Sequence, residues 1–372
     1  MKFSCEKAIL QSAVTTAGRV VAAKSSIQAL EGILIEAEHD YLNLSGYNLE
    51  TGIVTKVSAN ITENGAIVLS ARLFGEILRR MPDDTVAIQT DNYSVHIQCG
   101  PTSFDIMGSS DEDFPDLPSV DEGKSLSITQ GDLRAMISQT IFAVSDNESR
   151  PIHTGALFET DAQELTMVAV DGYRLALRRE KILNREETDK LSFVVPGAAL
   201  NEVEKICSDC DEAVTITLGE RHITFETGET LLVARRLEGE FLNYRQTIPQ
   251  NNAIVLEAEA ADLQRSIDRA SLIINDKLKS PLRCKFEDGS LSITSKTAIG
   301  SAFDRCPITG DGKGLEIGFN NRFLMEAIKA APAGRVRLEL NTATSPCLIL
   351  PQKGEKDNFL YMVLPVRLRA AE

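Results

Sequence analysis

Cys207 and Cys210 form the only Cys-x-x-Cys pair in the sequence, a spacing that can hold a metal ion or carry out thiol–disulfide exchange. A structural zinc site needs a second pair of ligands, and no other cysteine or histidine pair is spaced to supply it. A redox pair would begin a helix, whereas Cys207 extends the apolar stripe of Leu200, Val203 and Ile206 at a helix end. The pattern therefore predicts core packing. A metal- or thiol-dependent enzyme centred on this pair is the alternative function.

Other residue patterns for catalysis are missing from the sequence. The four histidines form no His-x-x-x-His pair and no nucleophile arrangement, and neither glycine-rich phosphate-binding motif occurs. The seven cysteines are odd in number and scattered, which is typical of reduced thiols. No apolar run approaches 18 residues, and Met1–Cys5 does not look like a secretory leader. We therefore expect a cytoplasmic, non-enzymatic protein that needs no metal and no cofactor.

The net charge of −15 argues against a broadly basic surface for nucleic acid, because Lys and Arg supply most of the attraction to phosphates. A local basic lining is compatible with this charge, since salt screens charges beyond about 8 Å. Seven basic residues lie on predicted helices or in the loops after them: Lys24, Arg72, Arg79, Arg134, Arg150, Arg265 and Arg269. Solvated helix faces of mixed charge would account for each of them singly. If they line one surface together, they form a track for a phosphate backbone.

The elements that position these residues recur in three copies. Glu36, Glu159 and Glu287 each end the first strand of a predicted strand pair, 123 and 128 residues apart. A Gly-Tyr-x-Leu sequence also recurs, at Gly46 and Gly172. Within each copy a strand leads into an amphipathic helix and then a meander, and this order occurs twice. The sequence therefore predicts an α+β protein of three similar domains, each with two helices and about eight short strands.

Two proline-containing connectors mark the joints between the copies. They are Ser109–Pro118 and Leu237–Pro249, and both should be extended because the residue before a proline avoids the helical region. The predicted domains are 1–120, 121–250 and 251–372.

The middle copy contains the apolar stretch Val168–Ala176, interrupted by Asp171 and Gly172. Such a pair between two apolar runs predicts a strand, a tight turn and a strand, because Gly tolerates the positive φ of tight turns.

The last residues, Phe359–Leu368, are unusually apolar for a chain end. Pro365 cannot continue a central ladder, so we expect the strand to end there and to expose Met362, Leu364 and Val366 in part. Exposed apolar residues beside the middle copy would form a groove of peptide size.

The sequence resembles the bacterial DNA polymerase III β subunit family, the replicative sliding clamps, over essentially all 372 residues. The resemblance is carried by Met1–Phe3, Val170–Ala176, Glu238–Arg245 and Leu364–Leu368. It implies the DNA clamp fold, with helices inside and antiparallel sheets outside, and two chains joined head to tail in a ring around duplex DNA. The ring would tether a polymerase without reading sequence, and a separate ATP-driven loader would open it. The implied partners are duplex DNA, the replicative polymerase catalytic subunit, the clamp loader and other proteins with a clamp-binding motif.

In this family, partners dock a short peptide into a groove between the middle and last domains. By position, the resemblance assigns to this groove His153, Val170, Gly172, Tyr173, Arg174, Leu175, Leu242, Thr247, Met362, Leu364, Pro365, Val366 and Arg367. Leu242 stands where a proline is common in the family, Thr247 stands where a valine is common, and Arg369–Glu372 extends past the usual end.

The resemblance also implies a dimer interface between an edge strand of the first domain and the last domain. Phe104 and Ile106 match the family's apolar contacts on one side, and Leu272 and Ile273 match them on the other. Among the basic residues, Lys24 and Arg72 fall at matching positions, and Arg150 matches less closely. A structural repeat protein that binds no DNA is a third interpretation of the threefold pattern.

Overall fold

The computed structural model describes residues 1–120, 123–161, 163–185, 190–274, 280–332 and 334–368. Its helices within these ranges are α1 Lys7–Ala17, α2 Ala71–Arg80, α3 Gln130–Ser138, α4 Gly197–Ile206, α5 Tyr244–Thr247, α6 Ala260–Ser271 and α7 Asn321–Ala330. The strands of the first two copies are β1 Lys2–Glu6, β2 Gly32–Glu38, β3 Tyr41–Tyr47, β4 Thr51–Ser58, β5 Asn60–Glu63, β6 Gly65–Ser70, β7 Thr85–Asp91, β8 Ser94–Cys99, β9 Thr102–Met107, β10 Lys124–Thr129, β11 Gly155–Asp161, β12 Glu164–Val170, β13 Arg174–Lys181, β14 Asn184–Arg185, β15 Ser192–Pro196, β16 Ala213–Leu218, β17 His222–Thr227 and β18 Thr230–Arg235. The strands of the last copy are β19 Ile254–Glu259, β20 Leu282–Thr297, β21 Gly300–Phe319, β22 Arg335–Leu340, β23 Cys347–Pro351 and β24 Phe359–Val363.

The described strands form three antiparallel sheets. The five-stranded sheet has the order β5-β1-β7-β8-β9, and the nine-stranded sheet has the order β14-β10-β16-β17-β18-β4-β3-β2-β6. The ten-stranded sheet has the order β15-β11-β12-β13-β24-β23-β22-β19-β21-β20. Because β18 pairs with β4 and β13 pairs with β24, two of the sheets run across the joints predicted from the sequence.

Internal packing divides the chain into two compact units. The first unit comprises Met1–Arg134, Ile182–Thr188 and Ala198–Arg236, and it contains the five-stranded and nine-stranded sheets. The second unit comprises Ala135–Lys181, Asp189–Gly197 and Leu237–Glu372, and it contains the ten-stranded sheet. The two boundaries between the three predicted domains, near residues 120 and 250, stay a prediction, because the packing follows the continuous sheets.

The first unit has an apolar core in which α1 and α2 cover the strands. Leu10 and Val14 of α1, and Phe74 and Leu78 of α2, are four residues apart, so each pair lies on one face of its helix. All four side chains are buried, and each contributes roughly 1.5–3 kcal/mol relative to exposure. Ser70 begins α2, because its side-chain oxygen accepts a hydrogen bond from the amide of the third helical residue at 3.4 Å.

In the second unit, α7 lies where the last strand can contact it. Asn320 begins the helix, because its side-chain oxygen accepts hydrogen bonds from the amides of Arg322 and Phe323 at 3.0 and 3.2 Å. At the other end, the hydroxyl of Tyr361 in β24 donates to the carbonyl of Ala330 at 3.0 Å. These bonds fix the helix against the sheet and thereby set the positions of the side chains on its exposed face.

The strands of the first and middle copies match at a constant offset. Both ends of β2, β3 and β4 lie 123 residues before the corresponding ends of β11, β12 and β13, respectively. The Gly-Tyr-x-Leu repeat has an offset of 126, so its two occurrences are not structurally equivalent. Gly46 lies inside β3, whereas Gly172 lies in the turn after β12. The Glu36 and Glu159 positions were the correct indicators of the repeat.

Each copy has two main helices, as the sequence predicts. The first and middle copies have nine strands each among the described residues, close to the predicted eight, and the middle copy adds the short helix α5. The last copy has six strands, because β20 and β21 are continuous over 16 and 20 residues. The side-chain oxygen of Thr129, just before α3, accepts a hydrogen bond from the amide of Asp132 in the first turn at 3.0 Å. No helix in the described ranges is long and apolar enough to span a membrane.

Candidate binding surfaces

The turn between β12 and β13 is the tight hairpin that the sequence predicts. Val170 and Leu175 form the last strand pair, and Asp171–Arg174, the middle hairpin, connects them. One carboxylate oxygen of Asp171 accepts hydrogen bonds from the amides of Tyr173 and Arg174 at 2.9 and 3.1 Å. Gly172 has a φ of +90°, which favours glycine. The hairpin therefore has a fixed backbone that determines the directions of its side chains.

Arg174 is a buried cation held by two carboxylates and two rings. Its Nε donates to Asp171 at 2.8 Å, and its terminal nitrogen pairs with Glu326 of α7. The guanidinium carbon lies 4.4 Å from the ring centre of Phe323 and 5.4 Å from that of Phe142. A buried charge needs such partners to offset its desolvation. Arg174 thus connects the middle hairpin rigidly to α7.

The floor beside the hairpin is an apolar cluster. Val170, Leu175, Met362 and Tyr244 belong to this cluster with residues of β11, β12, β15 and β23. Met362 is only 6% exposed, so the expectation that it is partly exposed is wrong. The physical reason is that β24 is a central strand, paired with both β13 and β23 through Met362. Met362 therefore supports the floor rather than forming an open wall.

Exposed apolar side chains stand at the rim of this cluster. Tyr173 is 64% exposed and stacks on Phe323 with ring centres 5.9 Å apart, and Leu242 is 42% exposed. Phe241 packs on the floor cluster and meets the ring of His153 edge-on at 5.5 Å. Partial burial, followed by the charge of Arg150, lowers the pKa of His153 and favours its neutral form. Thr247 is exposed, and its hydroxyl donates to the carbonyl of Tyr244 at 2.7 Å.

The chain leaves the central ladder after β24, as Pro365 predicts. The amide of Leu364 donates to the carbonyl of Tyr173 at 2.9 Å, and the amide of Val366 donates to the carbonyl of Gly318 at 2.7 Å. Leu364 and Pro365 are half-buried, while Val366 and Arg367 are exposed. The extension 369–372 lies outside the described residues.

All thirteen groove residues expected from the resemblance therefore lie in the second unit, around the middle hairpin and the floor cluster. The expected set omits Tyr244, Phe323 and Glu326, which the structure adds. Tyr244 lies in the quoted stretch Glu238–Arg245, so its neighbours could have pointed to it. Phe323 and Glu326 come from the last copy, and no local pattern connects them with Arg174.

The seven basic residues differ in what they contact. Arg79 pairs with Glu76 at 2.6 Å, Arg265 pairs with Asp262, and Arg269 binds Asp304, which raises the pKa of the Arg269 guanidinium. Lys24, Arg72, Arg134 and Arg150 are exposed and form no ion pair with the described residues. These four are available to an external anion, whereas the other three already contact carboxylates within the chain.

The expected dimer residues lie at exposed edges. Phe104 and Ile106 are on β9, which is the edge strand of the five-stranded sheet; Phe104 is 38% exposed and Ile106 packs partly against the core. Leu272 directly follows α6 and is 79% exposed, with Ile273 half-buried beside it. Met107, Ile299 and Phe303 are also exposed apolar residues, and no sequence pattern pointed to them. Each stands at a strand end or near a hairpin tip, positions that periodicity does not mark.

The Cys207–Cys210 pair does not form a reactive centre. Cys207 is buried, as predicted, and its burial raises the pKa of the thiol to about 12, so it stays protonated at neutral pH. Within the part of the chain that the structure describes, no group of three or more His, Cys, Asp or Glu side chains could hold a metal ion.

Comparison with known proteins gives a consistent result. Three family models match in sequence: DNA polymerase III beta subunit, N-terminal domain, at residues 1–118; central domain, at 127–243; and C-terminal domain, at 245–367. The chain is 31% identical to the beta sliding clamp of Bacillus subtilis, over 99% of this chain and 100% of that one. It is similar to the crystal structure of the Bacillus subtilis DNA polymerase sliding clamp, with a TM-score of 0.92 and 29% identity, and to that of a Pseudomonas aeruginosa sliding clamp bound to griselimycin, with a TM-score of 0.93 and 26% identity. Both alignments cover 99% of this chain and 100% of the other.

Proposed function

The chain belongs to the family of bacterial DNA polymerase III β subunits, the β sliding clamps, and we propose that two copies close into a ring that encircles duplex DNA and tethers the replicative polymerase. The family consists of processivity factors rather than catalytic enzymes, and its clamp fold of three domains is the fold of this chain. The observation that carries the proposal is the match of 99% of the chain to a full-length β sliding clamp.

Two exposed edges support the dimer of this proposal. β9 pairs only with β8 among the described strands, so its other side has free backbone groups that a second chain can use. Phe104 on β9 and Leu272 after α6 are exposed large apolar residues, and burial of such residues by a second chain would be favourable. We assign Phe104, Ile106, Leu272 and Ile273 to a head-to-tail contact, and we assign the copies 1–120, 121–250 and 251–372 to its six domains.

The basic residues support the DNA part of the proposal. Lys24, Arg72, Arg134 and Arg150 would contact phosphates most strongly, because they form no ion pair with the described residues. Arg79, Arg265 and Arg269 would contribute less, since each already binds a carboxylate. Phosphate contacts without base contacts allow a ring to slide.

The surface around the middle hairpin supports peptide binding. Tyr173, Leu242 and Val366 are exposed around a buried apolar floor, an arrangement that suits the apolar anchors of a linear peptide. The proposed occupants are segments of the polymerase catalytic subunit, of the clamp loader and of other proteins with a clamp-binding motif. The thirteen groove residues would act as two groups, with Met362, Leu175 and Val170 forming the floor and the exposed residues forming the rim.

A topological experiment tests the clamp function. The protein is loaded onto a nicked circular plasmid by the clamp loader, and its retention is measured by gel filtration before and after linearisation. We expect stable retention on the circle and rapid loss from the linear form, because a ring slides off an end. Equal retention on both forms would contradict encirclement. The molecular mass in solution, measured by light scattering, should be twice that of one chain.

A second experiment tests the groove. Tyr173→Ala should weaken binding of the purified polymerase catalytic subunit by about tenfold or more, because exposed aromatic anchors carry much of the affinity at such sites. Tyr93→Ala is the matched control, since Tyr93 is also a half-exposed tyrosine next to a tight turn. Both variants should stay dimeric. Equal affinity of the two variants would show that the groove is misplaced. Met362 is a poor target, because a change there would disturb the buried floor.

A further inference from the structure

The first unit has a cleft on the sheet face formed by β2, β3 and β4. The cleft has a volume of about 320 Å³. Its floor consists of Leu34, Ser45 and Val54 on the adjacent strands β2, β3 and β4, with Glu36 and Asn43 at one end. The connector residues 114–117 form its rim. We call this space the first-copy cleft.

The equivalent face of the middle copy shows what such a space can hold. Leu157, Val168 and Leu177 occupy the same register on β11, β12 and β13, each 123 residues after its counterpart. Tyr244 packs on this floor in one apolar cluster with them, and its hydroxyl donates to Glu159 at 2.8 Å. Glu159 is the counterpart of Glu36. The middle copy therefore places a tyrosine on this floor, and its phenol reaches the carboxylate position that the two copies share.

Arg245 completes the arrangement in the middle copy. Its two terminal nitrogens donate to Glu159 at 3.3 and 2.8 Å, and its guanidinium carbon lies 4.6 Å from the ring centre of Tyr244. A Tyr-Arg pair thus satisfies the carboxylate with a phenol and a guanidinium at once.

The first copy lacks this pair. Leu117 follows Phe114 by three residues, as Tyr244 follows Phe241, but its side chain lies over Gly52, where a Cβ atom would be only 2.6 Å away. Leu175 occupies the position of Gly52 in the middle copy, so its side chain fills that space there. The connector of the first copy therefore covers Gly52 and leaves the space above Leu34, Ser45 and Val54 open.

The charges around the first-copy cleft suit a cation. Glu36 accepts no side-chain hydrogen bond from the described residues, and its partial burial, followed by the charges of Glu38 and Asp111, raises the pKa of its carboxyl. A guanidinium would offset this repulsion and supply the missing donors.

We propose that the first-copy cleft binds a Tyr-Arg pair presented by a partner polypeptide, with the tyrosine ring on Leu34 and Val54 and with the phenol and the guanidinium both donating to Glu36. This site is separate from the groove at the middle hairpin and holds whether or not the chain encircles DNA.

The probe is a synthetic heptapeptide with the sequence of Phe241–Thr247, titrated calorimetrically into the full-length protein. The middle copy already holds this segment, so the first-copy cleft is the vacant site. We expect saturable binding, which weakens about tenfold when phenylalanine replaces the tyrosine of the peptide or when the protein carries Glu36→Gln, because a hydrogen bond to a charged acceptor is lost. Glu38→Gln is the matched control, since it removes the same charge from β2 without lining the cleft, and it should change the affinity less than about threefold.

Leu117→Tyr provides an independent test of location. It puts a tyrosine at the connector position that corresponds to Tyr244, on the rim of the cleft, so a ring that turns from Gly52 onto Leu34 and Val54 should abolish peptide binding without lowering the melting temperature. Absence of saturable binding to the wild type, or equal affinities for the Glu36→Gln and Glu38→Gln variants, would overturn the proposal. If Leu117→Tyr fails to fold, the glutamate pair still decides the question.

Discussion

Two hairpins in this protein have one backbone plan and different chemistry. The middle hairpin, Asp171–Arg174, and the first hairpin, Asn48–Thr51, both begin with a side-chain oxygen that accepts two amides, at 2.9 and 3.1 Å in one and at 3.0 and 2.8 Å in the other. Their second residues, Gly172 and Leu49, both have positive φ, at +90° and +73°. The local geometry therefore depends on the first residue, since Asp and Asn both close this turn.

The fourth residue separates the two hairpins. In the middle hairpin it is Arg174, which binds Asp171 and Glu326 under the ring of Phe323. In the first hairpin it is Thr51, which is buried without a side-chain hydrogen bond among the described residues. A repeated turn therefore acquires a specific surface through the residues that pack against it. Only the middle hairpin has α7 and the chain end as neighbours within its unit.

The largest effect is expected from removing the Arg174 cation, which distinguishes the two hairpins. Arg174→Met should destabilise the protein by about 3 kcal/mol, because it leaves two carboxylates without their buried cation. Thr51→Val at the equivalent position should change the free energy of unfolding by less than about 1 kcal/mol. Urea unfolding of both variants measures the change in the free energy of unfolding. Similar losses in the two would show that Arg174 has no special structural role.

A smaller effect tests whether the shared backbone plan is real. Gly172→Ala should cost about 1–2 kcal/mol in unfolding free energy, because a Cβ atom meets open space there but the backbone is left-handed. Leu49→Gly should be near neutral, since relief of strain offsets the added flexibility of the unfolded chain. Denaturant midpoints provide the measurement. A large loss for Leu49→Gly would mean that the leucine side chain, rather than the turn, stabilises the first hairpin.

The smallest effects concern Glu159 on β11 and its counterpart Glu36 on β2, and they have opposite signs. Glu159→Gln should destabilise by about 1 kcal/mol, because it weakens the bonds to Tyr244 and Arg245. Glu36→Gln should stabilise by less than about 1 kcal/mol at pH 7. The pKa of Glu36 is raised in the folded state, so its folded form gains stability below the ordinary glutamate pKa of 4.5 and loses it as the pH rises through the raised value.

The advantage of Glu36→Gln over the wild type should therefore vanish below about pH 4, where both states of Glu36 are protonated. Thermal melts of the two glutamate variants at pH 7 and pH 4 check both signs. Destabilisation by Glu36→Gln at pH 7 would mean that Glu36 already has a favourable partner.

Much of the site could be predicted because its backbone signals are local. The pair Asp171-Gly172 predicts a turn, and Pro365 predicts the end of β24. The burial of Met362 could not be predicted, since it depends on pairing with β13 and β23, which are distant in sequence. The Gly-Tyr-x-Leu repeat gave a wrong alignment of the copies, because its offset is 126 residues whereas the strands repeat at 123. Gly46 therefore lies inside a strand, and Gly172 lies just after one.

The family, the threefold repeat, the two helices of each copy and the burial of Cys207 could all be read from the sequence, because periodicity and short motifs are local properties. The neighbours of each hairpin, by contrast, depend on the tertiary structure. Antiparallel pairing of β13 with β24 brings Arg174 to Phe323 and Glu326, and a single difference in how the connectors lie, Tyr244 over one sheet face and Leu117 over Gly52, fills one cleft and leaves the other open. Such contacts join residues tens to hundreds of positions apart, and no local pattern encodes them.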